Sequence, residues 1–212
     1  MIFTSHGHEY QVSDIGVISQ VKPVPFKYDV NYVDTYNTEA YKRQSEILQA
    51  LRLGFVTASH GRSPQSLIDY GYGNGAFLLT AKQAIPEVYG LDVTGIQVKG
   101  CEIISELKEV EVITFFDSLE HIPDLSFVKE LPCKTVVISL PHCHYHTEGQ
   151  VWFNTKYKHR KPNEHLYHFN PSSLRLFMMR NDWIEIAQSN IEDIVRKSEH
   201  GLPNILTMAF QR

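Results

Sequence analysis

The sequence predicts an α/β fold: a mostly parallel sheet with helices packed on both faces. Three observations carry this. From Ser66 onward, short apolar runs alternate with segments of helical periodicity. The first such run, Leu67-Ile68-Asp69-Tyr70, ends in a glycine-rich turn. The last two runs, Trp183–Ala187 and Asn204–Phe210, are joined by a segment with no helical pattern, which predicts an antiparallel hairpin at one edge of the sheet.

The elements follow in order. Residues 1–36 are rich in turn formers and aromatics, with short β-like runs at Glu9–Val12 and Gly16–Val21, followed by Tyr28, Tyr32 and Tyr36. This reads as an irregular lead-in, in part a hairpin, and a candidate lid over a main domain at 37–212. A helix is expected from a cap at Asn37 or Thr38 to about Leu53, with Ala40, Tyr41, Ile47, Leu48 and Leu51 on one stripe and Lys42, Arg43 and Glu46 facing away. Thr57–Gln65 reads as a polar loop. Ala76–Ile85 is helical, with Phe77, Leu78, Ala81 and Ile85 on one face, and Pro86 closes it. Val88–Asp92 reads as the second strand, Val110–Phe116 as another, Asp124–Leu131 as a short helix and Thr135–Leu140 as a buried strand. Asn170-Pro171 supplies a cap and first residue for a helix to about Arg180. Only eighteen positions separate Asp92 from Val110, and Gly95 and Gly100 disfavour a long helix there. A shortened crossover is expected.

Composition narrows the class. The 212 residues are 42% hydrophobic and 21% charged, ordinary for a folded protein, and show no internal repeat. The net charge of −4 disfavours a nucleic-acid partner. The one dense basic run, Lys156, Lys158, His159, Arg160 and Lys161, reads as a solvated loop. No apolar stretch approaches the roughly 18 residues a membrane span needs. The N-terminus lacks a signal-peptide pattern, and the three cysteines, Cys101, Cys133 and Cys143, fit free thiols in a reducing compartment. A cytoplasmic location is expected; oligomeric state is not readable.

The chemistry concentrates at Asp69-Tyr70-Gly71-Tyr72-Gly73-Asn74-Gly75. Glycines between a strand and its helix allow positive φ and close approach of backbone to a ligand. The helix start that follows offers free N–H groups. Asp92, 23 residues after Asp69 at the end of the next strand, is placed to accept hydrogen bonds from ribose hydroxyls. Gly71, Gly73 and Ala76 also satisfy a dinucleotide fingerprint, so this geometry alone suits either NAD or S-adenosylmethionine. Asp69 shifts the balance. An acid there suits a cationic ligand and repels a pyrophosphate.

The pattern resembles the class I S-adenosylmethionine-dependent methyltransferases. Ile68–Gly75 looks like the family's first motif and Tyr89-Gly90-Leu91-Asp92 like its second-strand acid. Phe115-Phe116-Asp117-Ser118-Leu119-Glu120-His121-Ile122 is similar to the segment after its fourth strand. Glu164–Phe169 with Ser172-Ser173-Leu174 is similar to the lead into its late helix. The resemblance covers residues 66–187. It implies a Rossmann-like, seven-stranded sheet with a reversed last strand. It implies that Asp69, Gly71, Tyr72, Gly73, Asn74, Gly75, Asp92, Val93, Asp117 and Ser118 hold S-adenosylmethionine, with Val93 against the adenine and Asp117 and Ser118 on the other side. The adenine side beyond Asp92 is cut short, and neither Glu102 nor Glu106 aligns with the family's adenine contact.

Methyl transfer needs an aligned nucleophile and, for some acceptors, a base. His121 follows the strand end near the expected methyl group and is the candidate base. The segment Asp117–Glu120 lacks the Pro-Pro pattern of nucleobase-amine enzymes, and Pro132-Cys133 precedes its strand, which disfavours a cytosine-carbon nucleophile. A small-molecule or saccharide-like acceptor is expected. His142, His144 and His146 alternate and would share one face of an extended segment. They lie where family members place substrate-facing loops, so substrate contact from His142, His144 and His165, with Tyr32 and Tyr36 from the lead-in, is preferred over a zinc site, and no metal is assigned. An NAD-dependent oxidoreductase using the same loop and a non-catalytic cofactor-binding module are the rival readings.

Overall fold

A computed structural model describes residues 1–28, 39–197 and 200–212, with side chains in the first helix described from Ser45 onward. The strands are β1 (Ile2–Ser5), β2 (His8–Val12), β3 (Ile18–Gln20), β4 (Ser66–Tyr70), β5 (Glu87–Leu91), β6 (Glu102–Ile103), β7 (Val112–Phe116), β8 (Thr135–Pro141), β9 (Tyr167–His168), β10 (Ile184–Ser189) and β11 (Ile205–Gln211). The helices are α1 (Glu39–His60), α2 (Ala76–Ala81), α3 (Tyr145–Thr155) and α4 (Pro171–Arg180).

Strands buried on both faces are near-continuous apolar runs, and a polar residue in them needs a hydrogen-bond partner. β7 and β8 meet that condition: every residue in both is buried, and Thr114, Thr135 and Ser139 are hydrogen-bonded. They lie at the centre of a seven-stranded sheet of order β10-β11-β8-β7-β4-β5-β6. β8, β7, β4, β5 and β6 pair in parallel, while β11 is antiparallel to both β8 and β10. The side-chain period of two sorts neighbouring residues to opposite faces. Ile68, Ile113, Val136 and Met208 join one core with Leu174 and Met178 of α4. Leu67, Val112, Val137 and Ala209 join the other with Phe77 of α2 and Phe55 and Val56 of α1. This is the expected Rossmann-like sheet. The expected antiparallel pair is also present, with the last strand, β11, lying inside it and β10 at the edge.

The shortened crossover is present too. Between β5 and β7 the chain forms the two-residue β6 and no helix.

Several boundaries differ from expectation. α1 runs on to His60, so Thr57–His60 is helix rather than loop. Gly54 costs a helix only about 1 kcal/mol, and burial of Phe55 and Val56 outweighs it. Gly61, at φ +84°, ends the helix. The buried face of α1 is also different: Leu48 is in it, but Ile47 is 57% exposed, and Ser45, Gln49 and Arg52 are buried in its place. The expected cap at Asn37 or Thr38 lies outside the described residues. Asp124–Leu131 forms only a 3₁₀ turn at Ser126–Glu130. α3 was not expected; it is broken at Gly149 (φ 76°) and held by Trp152 and Phe153.

The lead-in is more regular than the sequence suggests. β1, β2 and β3 pair antiparallel and β9 adds a fourth strand, giving a small separate sheet. Phe3, Tyr10 and Ile18 from it pack on Trp152, Phe153 and Tyr157. Aromatic contacts of this kind contribute about 0.5–1.5 kcal/mol each beyond area burial. Among the described residues no helix is long and apolar enough to cross a membrane.

Candidate active site

The carboxyl ends of β4, β5 and β7 open into a cavity of about 950 Å³, the place where open α/β sheets bind ligands. The glycine turn after β4 forms one wall. Gly71 has φ +78°, and a Cβ there would fall 2.4 Å from Cβ of Ser118. Only glycine allows the β4 and β7 turns to approach this closely. Ser118 then donates from Oγ to the carbonyl of Tyr70 at 2.6 Å, tying the two turns together. At Gly73, φ +55°, a Cβ would meet nothing within 4 Å, so the backbone there is open to a ligand. Asn74 Oδ1 accepts from the Ala76 amide at 3.1 Å, while the hydroxyl of Tyr72 donates to the Ile96 carbonyl at 2.6 Å. Gly75, at φ +75°, packs against Val98.

Two acids flank this turn. Asp92 at the end of β5 accepts from the Gly73 amide at 3.0 Å and from the amide and hydroxyl of Thr94, both at 2.8 Å. Beside it Val93 is 82% exposed, an apolar side chain facing solvent at the cavity mouth. Asp69 is buried and lines the cavity, accepting from Thr114 Oγ1 at 2.8 Å. Burial pushes its carboxyl up to about 7, against the hydrogen bond from Thr114 and the charge of Arg52; the neighbouring Asp92 adds to the rise.

A second wall is made of charges. Asp117, at φ +54°, follows β7. Arg52 of α1 meets it at 2.6 Å and Arg196 at 2.8 Å. Both arginines also hold Glu192, at 2.8 and 2.9 Å, and Ser139 Oγ donates to Glu192 at 2.6 Å. Burial works against the Asp117 charge, but the guanidiniums of Arg196 and Arg52 outweigh it and hold the carboxyl below the usual carboxylate range. The network is neutral in sum, which lets four ionised groups share a low-dielectric wall.

Histidines complete the lining. His121 Nδ1 lies 2.9 Å from the carbonyl of Glu164 and 2.8 Å from the hydroxyl of Tyr28. A carbonyl only accepts, so Nδ1 carries the proton and Nε2 keeps its lone pair. Burial lowers the His121 pKa, which favours the neutral ring. His165 stands edge-on to it at a 4.6 Å centroid distance, and burial lowers its pKa strongly. Glu120, from the same turn as His121, is 1% exposed.

Of the residues expected to form the site, Asp69, Gly71, Tyr72, Gly73, Asn74, Asp92, Val93, Asp117, Ser118, His121 and His165 line this one cavity. Gly75 sits behind it. His142 and His144 do not line it. Their rings stack at 4.0 Å beside a smaller pocket, and His144 caps α3 instead of extending a strand. His146 turns away to the Gly16 carbonyl at 2.8 Å, so the three alternate histidines share no face. Tyr32 and Tyr36 lie outside the described residues. Glu102 and Glu106 are exposed and do not line the cavity. The basic run is dispersed: Arg160 binds the Phe153 and Asn154 carbonyls and Lys161 pairs with Glu164.

The sequence reading missed Arg52, Glu192 and Arg196. A signal was present for the first. Ser45, Gln49 and Arg52 recur at helical spacing on the face of α1 that Leu48, Phe55 and Val56 bury, and polar residues on a buried stripe call for a polar partner.

Comparison with known proteins agrees with this geometry. No curated protein matches the sequence. Among solved structures, 1,6-didemethyltoxoflavin-N1-methyltransferase of Burkholderia thailandensis, with bound 1,6-didemethyltoxoflavin and S-adenosylhomocysteine, superposes with a TM-score of 0.59 at 13% identity, covering 99% of this chain and 97% of its own. Magnesium protoporphyrin IX methyltransferase of Synechocystis, with bound S-adenosylhomocysteine, gives 0.55 at 14% identity, covering 83% and 89%. A methyltransferase of Archaeoglobus fulgidus gives 0.54 at 14%, covering 86% and 98%. At these identities the likeness carries the fold alone. A family model described as a methyltransferase domain matches residues 40–184, which run from α1 to the start of β10 and include all of the cavity lining except Pro23–Tyr28, Val195 and Arg196. The chain therefore belongs to that methyltransferase family and has the class I, S-adenosylmethionine-dependent fold.

Proposed function

We propose that the protein transfers a methyl group from S-adenosylmethionine to a small-molecule or saccharide-like acceptor. The observation that carries this is the pairing of Asp69 and Asp92 on either side of an open glycine turn, within one cavity that has room beyond them. The residues fit the cofactor. Asp69 is a buried carboxyl aimed at a cavity, suited to an ammonium. Asp92 has lone pairs left for ribose hydroxyls, and Val93 offers an uncovered apolar surface to an adenine. Gly73 leaves its backbone free to approach. When bound, the cofactor would supply a methyl carbon activated by its sulfonium, which departs as a neutral thioether.

The remaining work falls to the protein. The Asp117 network fixes the wall beside the glycine turn. His121 Nε2 is available to take the acceptor's proton as the new bond to carbon forms. Residues Pro23–Tyr28 line the cavity from the lead-in side, which supports the reading of residues 1–36 as a cover over the main domain. The cysteines are all free, which supports a reducing, cytoplasmic setting.

Calorimetric titration with S-adenosylhomocysteine and, separately, NADH tests the proposal. Stoichiometric binding of the first and none of the second is expected. The reverse result would make the protein a nucleotide-dependent oxidoreductase. Binding without turnover on any small-molecule or saccharide-like acceptor would leave a cofactor-binding module.

A further inference from the structure

We infer that Glu120, His121 and His165 form a binding site for one divalent metal ion in the wall of the cavity. Their ligand atoms lie within 4.8 Å of one another. The sequence alone assigns no metal, since substrate contact is preferred over a zinc site for the histidines between His142 and His168.

The first support is Glu120. It is 1% exposed, and neither carboxyl oxygen has a hydrogen-bond partner among the described residues. His121 Nε2 is 3.9 Å from one of its oxygens, beyond hydrogen-bond distance. A buried carboxylate without partners costs several kcal/mol, and a protonated one still has an O–H with nowhere to donate. Such orphaned groups call for a physical explanation, an ion among them. The second support is His165. It is 5% exposed, and its Nδ1 is buried with no partner. The third is the orientation of His121. Its Nδ1 proton is donated to the Glu164 carbonyl, leaving the Nε2 lone pair on the side of Glu120. Metal-bound histidines are held in this way, by a carbonyl or carboxylate on the other ring nitrogen.

Two imidazoles and one carboxylate are a donor set for divalent first-row ions, and they leave coordination positions open. Tetrahedral or octahedral ligands at about 2.1 Å stand roughly 3–3.5 Å apart, so the three side chains need to close by about an ångström. The open positions face the cavity, where an acceptor with two neighbouring oxygens, such as a vicinal diol, would chelate. That last step rests on the methyltransferase reading; the metal site itself does not. The ligand role and the base role of His121 use the same lone pair, so the base role proposed above belongs to the metal-free protein and His121 is not the base once the ion is bound.

Manganese(II) is the suitable probe, because it prefers nitrogen and oxygen donors and leaves the three free thiols alone. Chelator-treated protein would be titrated with Mn²⁺ and the free-ion electron paramagnetic resonance signal followed. One Mn²⁺ per chain is expected. Glu120→Gln and His165→Gln should each weaken binding by at least the roughly 10–100-fold seen when a ligand's supporting partner is removed, while His142→Ala should not. Pulsed measurements on the unaltered protein should show couplings to two imidazole nitrogens. Absence of stoichiometric binding, absence of those couplings, or binding that survives both glutamine variants would overturn the site. S-adenosylhomocysteine affinity, measured in parallel, reads the methyltransferase proposal separately.

Discussion

The two walls of the cavity are built by different means. The glycine wall, from Asp69 to Val93, is largely main chain: a turn of positive φ, a tight contact between Gly71 and Ser118, and two acids, Asp69 within β4 and Asp92 just after β5. The charged wall is side chain: Arg52 from α1, Asp117 after β7, and Glu192 and Arg196 from the segment between β10 and β11. The first wall is a local product of sequence and needs few distant partners. The second exists only once three remote segments have come together. A backbone cradle is stiff and serves a constant ligand, whereas a wall of side chains can be changed one residue at a time.

The sharpest way to break this contrast is Arg52→Ala. It removes two of the contacts that neutralise the buried Glu192 and one from Asp117. Breaking a buried pair costs roughly 3–5 kcal/mol. Arg196 and Ser139 remain on Glu192, so the low end, about 3 kcal/mol, is expected, or a fall of roughly 6–12 °C in Tm. Thermal unfolding reads this. Affinity for S-adenosylhomocysteine should change far less than stability; a loss of both in proportion would mean that the two walls are one unit.

Gly71→Ala tests the other wall. A residue with Cβ at φ +78° is strained by about 1–2 kcal/mol, and the added atom would lie 2.4 Å from Ser118. The β4 and β7 turns must separate. A drop of more than about 100-fold in S-adenosylhomocysteine affinity is expected, with circular dichroism showing a retained sheet. Asp92→Asn should follow at about 10–100-fold, since hydrogen bonds to a charged group contribute about 1.5–3 kcal/mol. Unchanged affinity in the asparagine variant would remove Asp92 from the ribose.

This contrast also sets what the sequence could reveal. The glycine wall was legible, because strand, turn, helix and second acid lie within the stretch from Leu67 to Val93 and each has a local physical meaning. The sheet was legible for the same reason, as continuous burial in β7 and β8 requires mostly apolar runs. The charged wall was not, since Asp117 lies 65 residues from Arg52 in sequence and 79 from Arg196. The histidines misled through an assumption of local geometry. Alternation puts residues on one face only in a strand, and the chain from His144 onward turns into α3. His165 and His121 come together because the Leu166 amide donates to the Glu120 carbonyl, a contact with no periodic signature.

The finest test of the glycine wall is its pH dependence. Burial raises the Asp69 carboxyl to about 7, so without ligand it holds its proton through most of the acid range. An ammonium beside it favours the ionised form, so binding would release that proton. Affinity for S-adenosylhomocysteine should then be level above pH 8 and fall about tenfold between pH 8 and pH 6. Calorimetry in buffers of different ionisation enthalpy should show release of close to one proton at pH 6. Asp69→Asn should abolish both effects, whereas Asp92→Asn, which leaves that carboxyl in place, should not. For the ligand-free protein the sign reverses. The folded state keeps the Asp69 proton while the unfolded chain loses it near pH 4, so this group's contribution to stability is full below that pH and is lost as pH rises toward 7. Opposite slopes for stability and for ligand affinity over the same pH interval, both removed by one substitution, would tie them to Asp69. Slopes of the same sign would mean that the cofactor's ammonium is held elsewhere.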